Sequence, residues 1–122
     1  MKNRRRLGTV YEVRVADYLR QKGYLVLEQN FSCRFGEIDL ICKKEDCLVF
    51  VEVKYRGGSC YGAPAEAVNA EKRRRICNTA SYYLYKHHLP MTTQCRFDVA
   101  AVSGQSIQVI ENAFPYTGAF GG

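Results

Sequence analysis

Residues 36–56, "GEIDLICKKEDCLVFVEVKYR", constrain the fold more than any other part of the chain. Apolar and charged residues alternate there at the two-residue period of a strand, and the polar "KKED" between the halves reads as a tight hairpin turn. Two paired strands are therefore expected over 35–43 and 47–56. Period-two geometry puts Glu37, Asp39 and Ile41 on one face of the first strand, with Ile38, Leu40 and Cys42 on the other. In the second strand Glu52, Lys54 and Arg56 share a face, opposite Val51, Val53 and Tyr55. Paired strands lie about 4.8 Å apart, so Asp39 and Glu52 are placed to converge on one divalent ion, with Lys54 one step along. The same alternation also describes the wet face of an antiparallel sheet, on which Glu52 and Lys54 would be a surface ion pair.

The flanking segments shift that balance. Residues 8–22, "GTVYEVRVADYLRQK", read as an amphipathic helix ending at Gly23, with Val15, Ala16 and Leu19 on one stripe beside Tyr11 and Tyr18. Glu12 falls inside that stripe, where an acid is costly unless something pairs with it. Ile38, Leu40, Ile41, Leu48, Val49 and Phe50 also make the hairpin more apolar than a wet face requires. Upstream, 24–33 reads as a strand. Downstream, the glycine-rich "RGGSCYGAP" lacks the Lys-Ser/Thr ending of a phosphate-binding loop. A long helix is expected from Pro64 to His88, then two strands, "QCRFDVAAV" and "SIQVIENAF", around Gly104. The order α-β-β-β-α-β-β predicts an α/β chain with a central mixed sheet flanked by helices. With 122 residues and no internal repeat, it is expected to form one domain over 1–122, with mobile tails at 1–6 and 116–122.

Charge narrows the partner. Eighteen Lys and Arg against twelve Asp and Glu leave a net charge of +6, which favours a polyanion, nucleic acid foremost. Candidate contacts are Arg4, Arg5 and Arg6 at the N-terminus, Arg56 beside the acids, and Lys72 and Arg73 of "EKRRR" on the flank of the long helix. Arg74 and Arg75 point elsewhere on the helical wheel and read as a solvated face. The basic N-terminus has no apolar stretch behind it, and no run of 18 apolar residues occurs, so a cytoplasmic chain without a membrane span is expected. Six scattered cysteines, with no CxxC pair and no histidine at zinc-finger spacing, read as reduced thiols.

Carboxylate oxygens with a neighbouring ammonium suit Mg²⁺ or Mn²⁺ and the hydrolysis of a phosphodiester. Glu12 would supply a third acid. The pattern D-x12-E-x-K across a hairpin, after a helix carrying Glu12, resembles the PD-(D/E)XK nuclease superfamily. More closely, "GEIDLI", "VFVEVKYR" and "RFDV" resemble the YraN-type family, small bacterial proteins grouped with endonucleases and similar to archaeal Holliday-junction resolvases. The likeness runs from about Gly8 to Phe114, with Ile38 where the superfamily name has proline. It implies a restriction-endonuclease-like core, with Asp39 and Glu52 as metal ligands, Lys54 as the catalytic lysine and Glu12 as the helix-borne acid. It also implies a Mg²⁺- or Mn²⁺-dependent endonuclease acting on DNA, branched DNA included, as a homodimer with no small-molecule cofactor. The alternative is a nucleic-acid-binding module that keeps the fold without the turnover.

Overall fold

Strand periodicity and helical stripes resolve into seven elements in the computed structural model, which describes residues 2–55 and 69–116. These are α1 (Lys2–Gln21), β1 (Leu25–Cys33), β2 (Gly36–Lys44), β3 (Cys47–Tyr55), α2 (Ala70–Lys86), β4 (Cys95–Ser103) and β5 (Ser106–Phe114), in the expected order. One five-stranded sheet runs β1-β2-β3-β4-β5. Neighbours are antiparallel except β3 and β4, which are parallel and therefore need a crossover; α2 lies within it. The sheet is thus mixed, with a helix on each face.

The two faces bury separate clusters. Val15, Ala16 and Leu19 of α1 pack on Leu40, Cys42, Val49 and Val51. On the other face Ile76, Ala80, Tyr83 and Leu84 of α2 cover Phe31, Ile38, Ile41 and Phe50. Most of β3 follows strict alternation, with Leu48 and Phe50 under α2 and Val49 and Val51 under α1.

In β2 the alternation breaks. Ile38 was expected to share a face with Leu40 and Cys42, yet it joins Ile41 beneath α2. The cause lies in the neighbouring strand. Asn30 adopts a left-handed backbone (φ 56°), between Gln29, which pairs with Leu40, and Phe31, which pairs with Ile38. A single left-handed residue rotates the chain beyond it, and asparagine is among the few side chains that accept the conformation cheaply. Phe31 and Ile38 are thereby swung together under α2.

Two helix boundaries also differ from expectation. α1 begins at Lys2 rather than Gly8. The long helix does not run unbroken from Pro64, because Asn69 is extended (φ −74°, ψ 172°) and caps α2 by accepting a hydrogen bond from the Lys72 amide at 2.9 Å. Residues 56–68 lie outside the described residues. Among the described cysteines Cys33, Cys42, Cys47, Cys77 and Cys95 are all free thiols. No described helix is long and apolar enough to cross a membrane.

Candidate functional site

The β2–β3 ladder stops at Leu40 and Val51. Just beyond it the strands part, and the next residues along, Asp39 and Glu52, occupy the opening. Asp39 turns a carboxylate oxygen onto the freed amide of Val53, at 2.8 Å. Glu52 is buried on the α2 side of β3, and α2 sends Lys72 to meet it in an ion pair. From the opposite face α1 brings in Glu12, also buried. A cavity of about 270 Å³ joins these groups, lined by Tyr11, Glu12, Glu37, Asp39, Glu52, Val53, Lys54, Tyr55 and Lys72. Glu12, Asp39, Glu52 and Lys54, from α1, β2 and β3, therefore line one cavity, and Lys72 of α2 joins them.

Burial dominates the electrostatics, with the crowding of acids adding to it. Burial, and then the charge of Glu52, push the Asp39 carboxyl up to about 8 against the pull of the Val53 amide. Burial also raises Glu12, partly offset by hydrogen bonding with Asn30 and Asp39. One oxygen of Glu12, Oε1, is buried with no hydrogen-bond partner. Such an atom is expensive unless a cation or donor eventually reaches it. Lys54 is shifted down, first by burial and then by the ammonium of Lys72. Burial pulls Lys72 down too, but its hydrogen bond and charge interaction with Glu52 outweigh this and leave it raised.

This donor set fits a hard divalent cation in kind: carboxylate oxygens, one of them orphaned, and no soft ligand. It is not gathered into a ready coordination shell. Among the described residues no group of three or more His, Cys, Asp or Glu is arranged to hold a metal ion. The Lys72 ammonium already neutralises Glu52. Binding of a divalent ion by Asp39, Glu52 and Glu12 would require Lys72 to give way.

The remaining candidates sit elsewhere. Arg73 lies over the Phe114 ring, 5.5 Å from its centroid, and does not line the cavity. Arg75 pairs with Glu71 on the exposed side of α2. Arg4, Arg5 and Arg6 fall in the first turns of α1, with side chains outside those described, and Arg56 lies outside the described residues. Glu37, Tyr11 and Tyr55 line the cavity without having been singled out as site residues. Their signal was adjacency: Tyr11 precedes Glu12, Tyr55 follows Lys54, and Glu37 is two residues before Asp39.

The acid of "RFDV" belongs to a different network. Asp98 is buried and accepts from Arg96 Nε at 3.0 Å, Arg96 Nη2 at 3.1 Å and the Asn112 amide at 2.9 Å. Arg96 Nη2 also donates to the Tyr24 hydroxyl at 2.9 Å. Asp98 lies where the β4–β5 register shifts, between Phe97 and Val99. Its role is to satisfy the groups that this bulge leaves unpaired.

Comparison with known proteins matches residues 11–102 to the Uncharacterised protein family UPF0102. A UPF0102 protein of Lachnoclostridium phytofermentans is 46% identical over 112 residues, covering 92% of this chain and 95% of the relative. One from Clostridium botulinum is 43% identical, covering 88% and 93%, and one from Vibrio vulnificus is 45% identical, covering 91% and 93%.

Proposed function

This chain belongs to the UPF0102 (YraN) family, whose name assigns no activity, and we propose that it is a metal-dependent phosphodiester hydrolase that cuts DNA internally. The observation that carries this reading is the convergence of Asp39, Glu52 and Glu12 with Lys54 and Lys72 in one cavity, at the point where β2 and β3 part. Five buried or half-buried charged groups meeting at a strand opening, one with an orphaned carboxylate oxygen, are not what a wet strand face produces.

In this mechanism Asp39 and Glu52 would hold Mg²⁺ or Mn²⁺, and Glu12 would complete the set. When bound, the ion supplies Lewis acidity to the phosphoryl oxygens and a water acidified toward hydroxide. Lys54 would orient the attacking water and offset negative charge developing on the phosphate; its lowered pKa leaves it neutral, and so free to accept a proton, more readily than Lys72. Lys72, released from Glu52, neutralises a phosphate oxygen. The basic surface draws in the strand. Branched DNA, taken from the resolvase likeness, would need two such centres and hence a homodimer.

A second reading is a nucleic-acid-binding module without turnover. It is favoured by the Lys72–Glu52 ion pair, which satisfies Glu52 with no metal. One experiment separates the two. Purified protein is incubated with linear duplex, single-stranded and four-way-junction DNA in Mg²⁺, Mn²⁺ or EDTA, beside Asp39→Asn and Lys54→Ala. The nuclease predicts metal-dependent cleavage, slowed about a hundredfold or more in both variants. Binding that persists with no cleavage under any metal supports the module. Cleavage by Asp39→Asn at the wild-type rate would sink the mechanism.

A further inference from the structure

Tyr11 and Tyr55 stack with ring centroids 4.5 Å apart and planes only 14° from parallel. The pair forms part of the wall of the acid–lysine cavity. Tyr11, on α1, packs against the core beneath that helix, so the inner ring is anchored. Tyr55, the last residue of β3, is stacked on it and yet remains 54% exposed. With one ring face on Tyr11, the exposure belongs largely to the other face. A large aromatic left half in water contributes little to folding, because its apolar area is not removed from solvent. It does present a rigid, pre-stacked π surface within one residue of Lys54.

From this geometry we infer that the protein takes a polynucleotide strand with an unpaired base beside the scissile phosphate, and that Tyr55 holds this base by stacking. The inference rests on the phosphodiesterase reading and narrows its substrate. Successive residues of a strand point to opposite faces, so Lys54 and Tyr55 straddle the end of β3. A phosphate seated at Lys54 and the acids therefore leaves its nucleoside able to pass over the strand end onto the Tyr55 ring. Every base has a π face, so such a platform is tolerant of sequence. In a continuous duplex both faces of each base are covered by its neighbours. A base can reach Tyr55 readily only from a single strand, a branch point or a disrupted pair, since extracting one from intact duplex breaks both its stacking and its pairing. The structure thus favours single-stranded or branched DNA on grounds independent of the resolvase likeness.

The test measures binding without turnover, by fluorescence anisotropy in EDTA and again in Ca²⁺. It uses a labelled single-stranded oligodeoxynucleotide and the same strand in a blunt duplex. Wild type is compared with Tyr55→Ala, Tyr55→Leu and Tyr55→Phe, with thermal midpoints reporting that each variant is folded. Tyr55→Ala is expected to weaken single-strand binding about tenfold while changing duplex binding roughly twofold or less, the size expected for one stacked base. Tyr55→Phe should retain affinity, whereas Tyr55→Leu, which still covers Tyr11 but offers no π face, should lose it. Equal losses on both DNAs, or single-strand binding by Tyr55→Ala as tight as wild type, overturn the inference. If wild type also cuts DNA with metal in that case, the phosphodiesterase reading survives. If wild type binds neither DNA and cuts nothing, both fall together.

Discussion

Asp39 is the residue on which the site's chemistry turns. Its carboxyl is held at about 8 in the folded chain and lies near about 3.9 in an unfolded one. As pH rises, the unfolded state therefore releases this proton first, and the folded state binds more protons across the interval. The contribution of Asp39 to stability falls from about pH 4 to about pH 8 in metal-free protein. Asp39→Asn removes that slope, because an amide still accepts the Val53 hydrogen bond but never ionises. Urea midpoints in EDTA at pH 5 and pH 8 measure it: wild type should lose stability over this range relative to Asp39→Asn, and parallel profiles would refute the assignment. Lys72 gives a second residue-level outcome. Lys72→Met strips Glu52 of its partner and leaves a buried carboxylate uncompensated, a loss of about 1–3 kcal/mol in EDTA. Saturating Mg²⁺ should recover most of it, read from thermal midpoints with and without metal. At this scale much of the site was legible in the sequence. Asp39, Glu52 and Lys54 follow from strand period, and Glu12 from an acid inside an apolar helical stripe. The Lys72–Glu52 ion pair was not, since it depends on where α2 lies across the sheet.

Among the elements, the contrast between β3 and β2 shows what periodicity can convey. In β3 the expected faces hold from Leu48 to Val51, because its neighbours on both sides pair without interruption through that stretch. In β2 they fail at Ile38, because the decisive residue is Asn30 on the adjacent strand. A left-handed asparagine is invisible to a hydrophobic pattern. It is nonetheless tied to the site, since Asn30 is among the groups that hold the Glu12 carboxyl down against the effect of burial. The start of α2 was displaced for a related reason. Asn69 acts as the cap, and by accepting from the Lys72 amide it fixes where Lys72 leaves the helix. Asp98 is the opposite case, an acid within a family-like motif that has no place in the cavity. Asp98→Ala would leave the Arg96 guanidinium half-buried without its acid, and the Asn112 amide without an acceptor. A loss of about 3–5 kcal/mol in urea denaturation is expected, several times that of an exposed pair. A change within about 0.5 kcal/mol would mean that the bulge does not need the carboxylate.

Considered whole, the molecule puts a negative cavity inside a positive chain. Four carboxylates, from Glu12, Glu37, Asp39 and Glu52, face two ammonium groups, from Lys54 and Lys72. Fully ionised, that is a local excess of two negative charges within a chain of net charge +6, falling to one while Asp39, held at about 8, keeps its proton. On the phosphodiesterase proposal, the outer field would attract a polyanion while the cavity repels it at the point where the scissile phosphate would sit. A divalent cation cancels that excess at this point. Nucleic-acid affinity should therefore rise with Mg²⁺ at constant ionic strength, although Mg²⁺ ordinarily competes with lysine and arginine for phosphates. The measurement is anisotropy on single-stranded DNA with a non-hydrolysable phosphorothioate linkage, titrating Mg²⁺ against a compensating fall in KCl. Glu37→Gln, which removes one cavity charge from an exposed side chain, should bind more tightly than wild type in EDTA and gain less from Mg²⁺. The slope of log affinity against log salt should remain about −2 to −3 in both proteins, as three or four phosphate contacts to a single strand require. Affinity that only falls as Mg²⁺ is added would mean that the cavity does not lie on the path of the strand, because neutralising it could then bring no gain.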